Sequence, residues 1–123
     1  MNQHPERHGA VNLDIREVAR RLNDALGGTL VAALAGVDDP MSPYGWAAAG
    51  GPQPGAVSAQ RLRCAYEQWK KVSTAEGDDV ARAWFIGANP WLDHAAPIDA
   101  IRLDRLKQVA AAAGMLVDGS FSG

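Results

Sequence analysis

The sequence predicts an all-α fold on three observations. Apolar residues recur at helical spacing in several windows, and no window alternates apolar and polar residues long enough to make a strand. Glycines and prolines also cut the chain into helix-sized lengths, with no internal repeat and no low-complexity stretch beyond alanine-rich patches.

Residues 1–11, with His4, Pro5, Glu6, Arg7, His8 and Gly9, have no apolar period and read as a mobile tail. A region spanning 12–57 follows. Its first helix carries Ile15, Val18, Ala19, Leu22 and Leu26 on one stripe opposite Arg16, Arg20 and Arg21, with Asn12 or Asp14 as cap, and Gly27-Gly28 ends it. Thr29 is the expected cap of a second helix, "LVAALAGV". This segment is apolar nearly all round and so calls for packing on several sides, and Gly36 with "DDP" stops it. Ser42-Pro43 starts a third, short helix of about two turns through Tyr44 and Trp46, after which Gly50, Gly51 and two prolines forbid continuation.

The next region spans 58–114. Ser58 is expected to cap a long helix with Leu62, Ala65, Tyr66, Trp69 and Val72 inward and Arg61, Arg63, Glu67, Lys70 and Lys71 mostly outward, broken at Gly77. "DDVARAWFI" forms another helix, with Asp78 or Asp79 as cap and Val80, Ala83 and Trp84 inward. A corner comes next. The residue before a proline is pushed out of the α region, so Asn89 and Ala96 mark helix boundaries, and Pro97 opens a short helix with Asp99 in its first turn. The last helix, from Asp104 to Ala113, is expected to close at Gly114 as a left-handed cap. Residues 115–123 are then a tail in which Met115, Leu116, Val117 and Phe121 are apolar with no helix to belong to.

A chain of 123 residues makes one domain, or two small subdomains sharing a core, and buries roughly two-thirds of its unfolded surface. Its single cysteine, Cys64, excludes an internal disulfide framework and fits a reducing, cytoplasmic location. No apolar run is long enough to cross a bilayer and the first residues lack the apolar centre of a signal peptide, so no membrane partner is expected. A net charge of −2 gives no general attraction to nucleic acid, and any DNA contact would need a local basic patch.

Catalysis finds little to work with. Cys64 has Arg63 beside it but no histidine near in sequence, and His94 next to Asp93 could form a pair that is still short of an acid–base site. Phosphate-loop, metal and nucleophile-elbow spacings are absent, so the expectation is a non-enzyme without metal or cofactor. The first three helices have the layout of a helix-turn-helix, with the third in the recognition position. Side chains that reach phosphates and base edges are typically Arg, Lys, Asn or Gln, whereas this helix offers Ser42, Tyr44 and Trp46. Arg61 and Arg63 on the following helix could add phosphate contacts, or lie on a solvated face. A packed helical scaffold is the alternative reading of the whole motif.

With the corner placed, "ARAWFIGANPWLDHAAPIDAI" followed by "DRLKQVAAAAG" and a short tail resembles the toxin-binding domain of the Xre/MbcA/ParS-like antitoxins, partners of RES-domain toxins. The likeness spans about residues 26–121, and "LGGTLVAALAGVDD" stands where that family places the first half of its helix-turn-helix. Asp93-His94 replaces the glycine-rich turn of the family, the order of Asn and Pro varies, and the recognition helix is stripped of basic residues. The resemblance implies a degenerate helix-turn-helix bundle followed by a small helical toxin-binding domain. It further implies an antitoxin that neutralises an NAD-consuming toxin, similar in fold to ADP-ribosyltransferases, by blocking entry to its pocket. Toxin-facing residues would be Asn89, Trp91, Asp93 and His94 in the corner and Met115, Leu116, Val117, Asp118, Ser120 and Phe121 in the tail. Operator DNA, met through Ser42, Tyr44, Trp46, Arg61 and Arg63, would serve autoregulation, in a homo-oligomer or a hetero-oligomeric complex with the toxin. Apolar tail residues suit a partner's groove, or fold back on the chain's own core. The competing account is a helix-turn-helix transcriptional regulator with no toxin partner.

Overall fold

The computed structural model describes residues 13–119, so the expected tail at 1–11 and the candidates Ser120 and Phe121 lie outside the described residues. The helices are α1 (Ile15–Leu26), α2 (Gly28–Ala35), α3 (Ser42–Ala47), α4 (Ala56–Glu76), α5 (Asp78–Ile86), α6 (Pro97–Arg102) and α7 (Leu106–Gly119). A single 3-10 turn, Pro90–Leu92, stands between α5 and α6, and the described residues include no strand. The all-α expectation is met.

The stripe of α1 is as its spacing dictates, with Val18, Ala19, Leu22 and Leu26 buried and the Asp14 carboxylate accepting from the Arg16 N–H. Gly27 and Gly77, at φ 87° and 92°, turn the chain sharply between α1 and α2 and between α4 and α5. Each is also the first boundary residue of the helix it opens, which displaces the expected caps. Thr29 is exposed inside α2 rather than capping it, and Asp78 and Asp79 lie in the first turn of α5, where they face the positive end of its dipole. Ser58 is likewise inside α4, which begins at Ala56, and its hydroxyl donates to the Ala35 carbonyl at 2.9 Å. That bond ties α4 to the end of α2.

The inward face of α5 is rotated from the expected one. Ala81 and Phe85 are buried, whereas Val80 is 45% exposed and Ala83 is also outside. Phe85 decides the rotation: its ring is fully buried between Trp69, 6.1 Å away between centroids, and Trp84, 5.1 Å away and edge-on.

Helix α7 runs through Gly114 to Gly119, so Met115 to Asp118 are helical and not a tail. The apolar residues in this last stretch have found seats, because Leu116 and Val117 pack against a small cluster of Val72, Ala81 and Ala113 with Trp69 and Trp84. The main core draws Val18 and Leu22 from α1, Leu34 from α2, Trp46 from α3, Leu62 from α4 and Phe85 from α5. Leu92, Ile101 and Val109 join the same cluster from the chain beyond. Regions 12–57 and 58–114 therefore share one interior. No helix among the described residues is long and apolar enough to cross a membrane.

Candidate functional site

The corner between α5 and α6 is built on Asn89, which is 7% exposed. It sits in an extended conformation ahead of Pro90, as the proline requires. Its side-chain oxygen accepts from the Trp91 N–H at 2.9 Å, and its carbonyl accepts from the N–H groups of Leu92 and His94 at 2.9 and 2.8 Å. The Asn89 N–H in turn donates to the Ala95 carbonyl at 3.1 Å. One residue thus closes the turn from the inside. Asp93 and His94 follow in the left-handed region, at φ 56° and 69°, which non-glycine residues adopt at a cost. The Arg105 guanidinium, 3.2 Å from the Asp93 carboxylate, helps to hold them there.

This turn throws Trp91 outward. It is 62% exposed although Leu92, next to it, is fully buried. Beside Trp91 lies a groove of about 470 Å³ walled by Trp84, Ala88, Asn89 and Pro90 on one side and Ala112, Met115, Leu116 and Gly119 of α7 on the other. Met115 is 44% exposed at its edge. The groove is apolar, and the carboxamide oxygen of Asn89 is already engaged by Trp91.

Of the toxin-facing candidates, the fold brings Asn89, Trp91, Met115 and Leu116 to this one groove. Asn89 contributes chiefly by holding the turn. Asp93 and His94 are exposed and do not line the groove, Val117 packs toward the small cluster, and Asp118 is exposed. Sequence reasoning missed Trp84, Ala88, Pro90, Ala112 and Gly119. A signal existed: residues 112, 115, 116 and 119 have the spacing of one helical face, legible only once the helix is continued through Gly114.

The candidate DNA contacts fare differently. Trp46 is 6% exposed and belongs to the core. Tyr44 is half-exposed and its hydroxyl accepts from the Gly28 N–H at 3.1 Å, while Ser42 is the partly buried first residue of α3. Arg61 does not project from α4. Its guanidinium donates to the Ala35 carbonyl at 2.9 Å and grips both oxygens of Asp104 at 2.9 and 3.0 Å, leaving its side chain 16% exposed. Arg63 donates to the Leu13 carbonyl at 2.7 Å. Arg16, expected outside, reaches over α3 to the carbonyls of Trp46, Ala48 and Gly51 at 3.2, 2.6 and 2.5 Å. Each of these arginines donates to backbone carbonyls at a helix end or in a loop. An arginine side chain can lie along the protein surface and direct its five N–H donors to backbone oxygens instead of projecting into solvent.

Cys64 is partly buried in a second cavity of about 360 Å³ between α4 and α7, lined also by Gln68, Leu106 and Ala110. Burial, reinforced by the negative charge of Glu67, pushes its thiol up to about 11, so it is protonated at neutral pH and a poor nucleophile. Among the described residues no group of three or more His, Cys, Asp or Glu is placed to hold a metal ion.

No protein-family model, no curated protein and no solved structure matches this chain.

Proposed function

We propose that this protein is a cytoplasmic antitoxin that binds and neutralises a RES-domain, NAD-consuming toxin, and that the groove between Trp91 and Met115 receives an apolar segment of that toxin. The observation that carries the reading is the convergence of the corner and the end of α7 on one apolar groove. These are the two segments whose sequence resembles the toxin-binding part of the antitoxin family, and they are 24 residues apart from Trp91 to Met115, since 115 less 91 is 24. An exposed tryptophan on a rigid turn is suited to partner binding, because its large apolar area is presented at little conformational cost. Repression of its own operon would be a second activity, resting on the order of α1, α2 and α3.

The test is co-expression with the product of the adjacent gene, followed by pull-down and measurement of cellular NAD. A stable complex that preserves NAD, lost in Trp91→Asp, is the expected result. Full protection by Trp91→Asp would sink the groove as the binding site, and absence of any complex would sink the antitoxin reading itself.

A further inference from the structure

Gly114 lies inside α7, where glycine shifts the local helix–coil balance against the helix by about fivefold relative to alanine. Packing does not ask for it. A β-carbon at this position would meet nothing nearer than the Asp118 carboxylate, 4.0 Å away, and Gly114 is not among the residues with positive φ. The glycine therefore weakens the helix without filling a steric need. Further weakening lies beyond it. Asp118 faces the negative end of the helix dipole, the last turn has no basic residue to offset it, and Gly119 follows.

The two halves of α7 are also anchored unequally. Before Gly114, Val109 and Ala112 belong to the main core. After it, Leu116 and Val117 rest on the small cluster around Val72, Ala81 and Ala113. Met115, Leu116 and Gly119, all beyond the glycine, form the α7 wall of the groove together with Ala112, which lies before it.

We infer that residues 115–119 are a hinged flap, which unwinds as a unit from Gly114 and swings its wall away from Trp84. Opening enlarges the groove and uncovers the edges of Trp69 and Trp84, and closure restores the helix seen here. Access to the groove is then set by the helix–coil balance of five residues. Only the purpose of the flap rests on the groove's being a binding site; the motion itself belongs to the free protein.

The experiment is residue-resolved amide hydrogen exchange on the full chain, wild type and Gly114→Ala, without any partner. Amides of 115–118 should exchange at one shared rate, at least tenfold faster than those of 109–113, with the step at Gly114. Gly114→Ala should slow the first group about fivefold and leave the second unchanged. Leu116→Ala, which removes a seat of the flap, should speed the first group alone. A smooth gradient rising toward residue 119 would mean ordinary fraying of a helix end and overturn the hinge. So would equal rates on both sides of Gly114, or a Gly114→Ala effect spread over the whole helix. A hinge found with no partner binding would leave this inference standing while removing the proposed function.

Discussion

Arg61 and Asp104, 43 residues apart, are joined by two hydrogen bonds of 2.9 and 3.0 Å, and the same guanidinium holds the Ala35 carbonyl. Three segments meet at this cation: the end of α2, the body of α4 and the turn between α6 and α7. Asp104 is held in the left-handed region, at φ 62°, where an unpaired aspartate would gain little.

Arg61→Ala is expected to destabilise the fold by about 2 kcal/mol, since it removes charge-assisted bonds to a partly buried carbonyl as well as packing. Arg61→Lys should recover only part of this, because an ammonium cannot reproduce the two-pronged grip. The hydrogen bond from Arg61 lowers the Asp104 carboxyl below its ordinary range. A depressed folded pKa gives stability that is present above the unfolded value, near pH 4, and lost as pH falls through the folded one. Wild type should therefore exceed Asp104→Asn in urea midpoint at neutral pH, with the gap closing in acid. A gap that persists unchanged at pH 2 would rule the ion pair out as its source.

Asn89→Ala removes the acceptor that caps the 3-10 turn and is expected to cost about 1–2 kcal/mol in urea unfolding. Asn89→Asp keeps an acceptor facing the Trp91 N–H and should lose less. Equal losses in the two variants would show that the carboxamide's other contacts matter more than the cap.

Trp91→Ala tests the separation of binding from folding. At 62% exposure the ring contributes little to the core, so stability should change by no more than about 0.5 kcal/mol. Affinity for the partner proposed above should fall by about 30-fold or more, the effect of losing a central aromatic anchor. Phe85→Ala is the contrasting variant, expected to cost about 3–5 kcal/mol because that ring is fully buried.

Cys64 should resist alkylation. With its thiol raised to about 11 from an ordinary 9.0, the thiolate fraction at pH 8 falls by roughly 100-fold, and iodoacetamide should label the native protein correspondingly slowly. A raised thiol pKa also contributes stability below about pH 9 that drains away as pH climbs toward 11. Rapid native labelling at pH 8, matching the rate in urea, would contradict the burial.

How much of this was legible in the chain depended on the kind of side chain involved. The stripe of α1 and the double-proline corner were plain, because apolar period and proline sterics act locally. Arg16, Arg61 and Arg63 were not, since their targets lie 26 to 50 residues away in sequence and a cation on a helix face looks the same whether it meets water or a carbonyl. Gly114 misled for a related reason. A glycine after an apolar run signals a helix end, but Leu116 and Val117 have seats on Trp69 and Trp84 that carry the helix past it. The groove was half visible for that reason: Asn89, Trp91, Met115 and Leu116 were singled out, while Ala112 and Gly119 fell on a helix face that had been cut in two.

The single interior shared by both halves of the chain bears on modularity. Trp46 and Leu22 from the first half and Leu62 and Phe85 from the second are neighbours in one cluster, and Arg63 reaches back to Leu13. The halves are thus not exchangeable cassettes. A chimera that grafts a foreign three-helix head onto residues 58–119 inherits half a core with nothing shaped to complete it, so any new specificity for the head has to be introduced by surface changes within this framework.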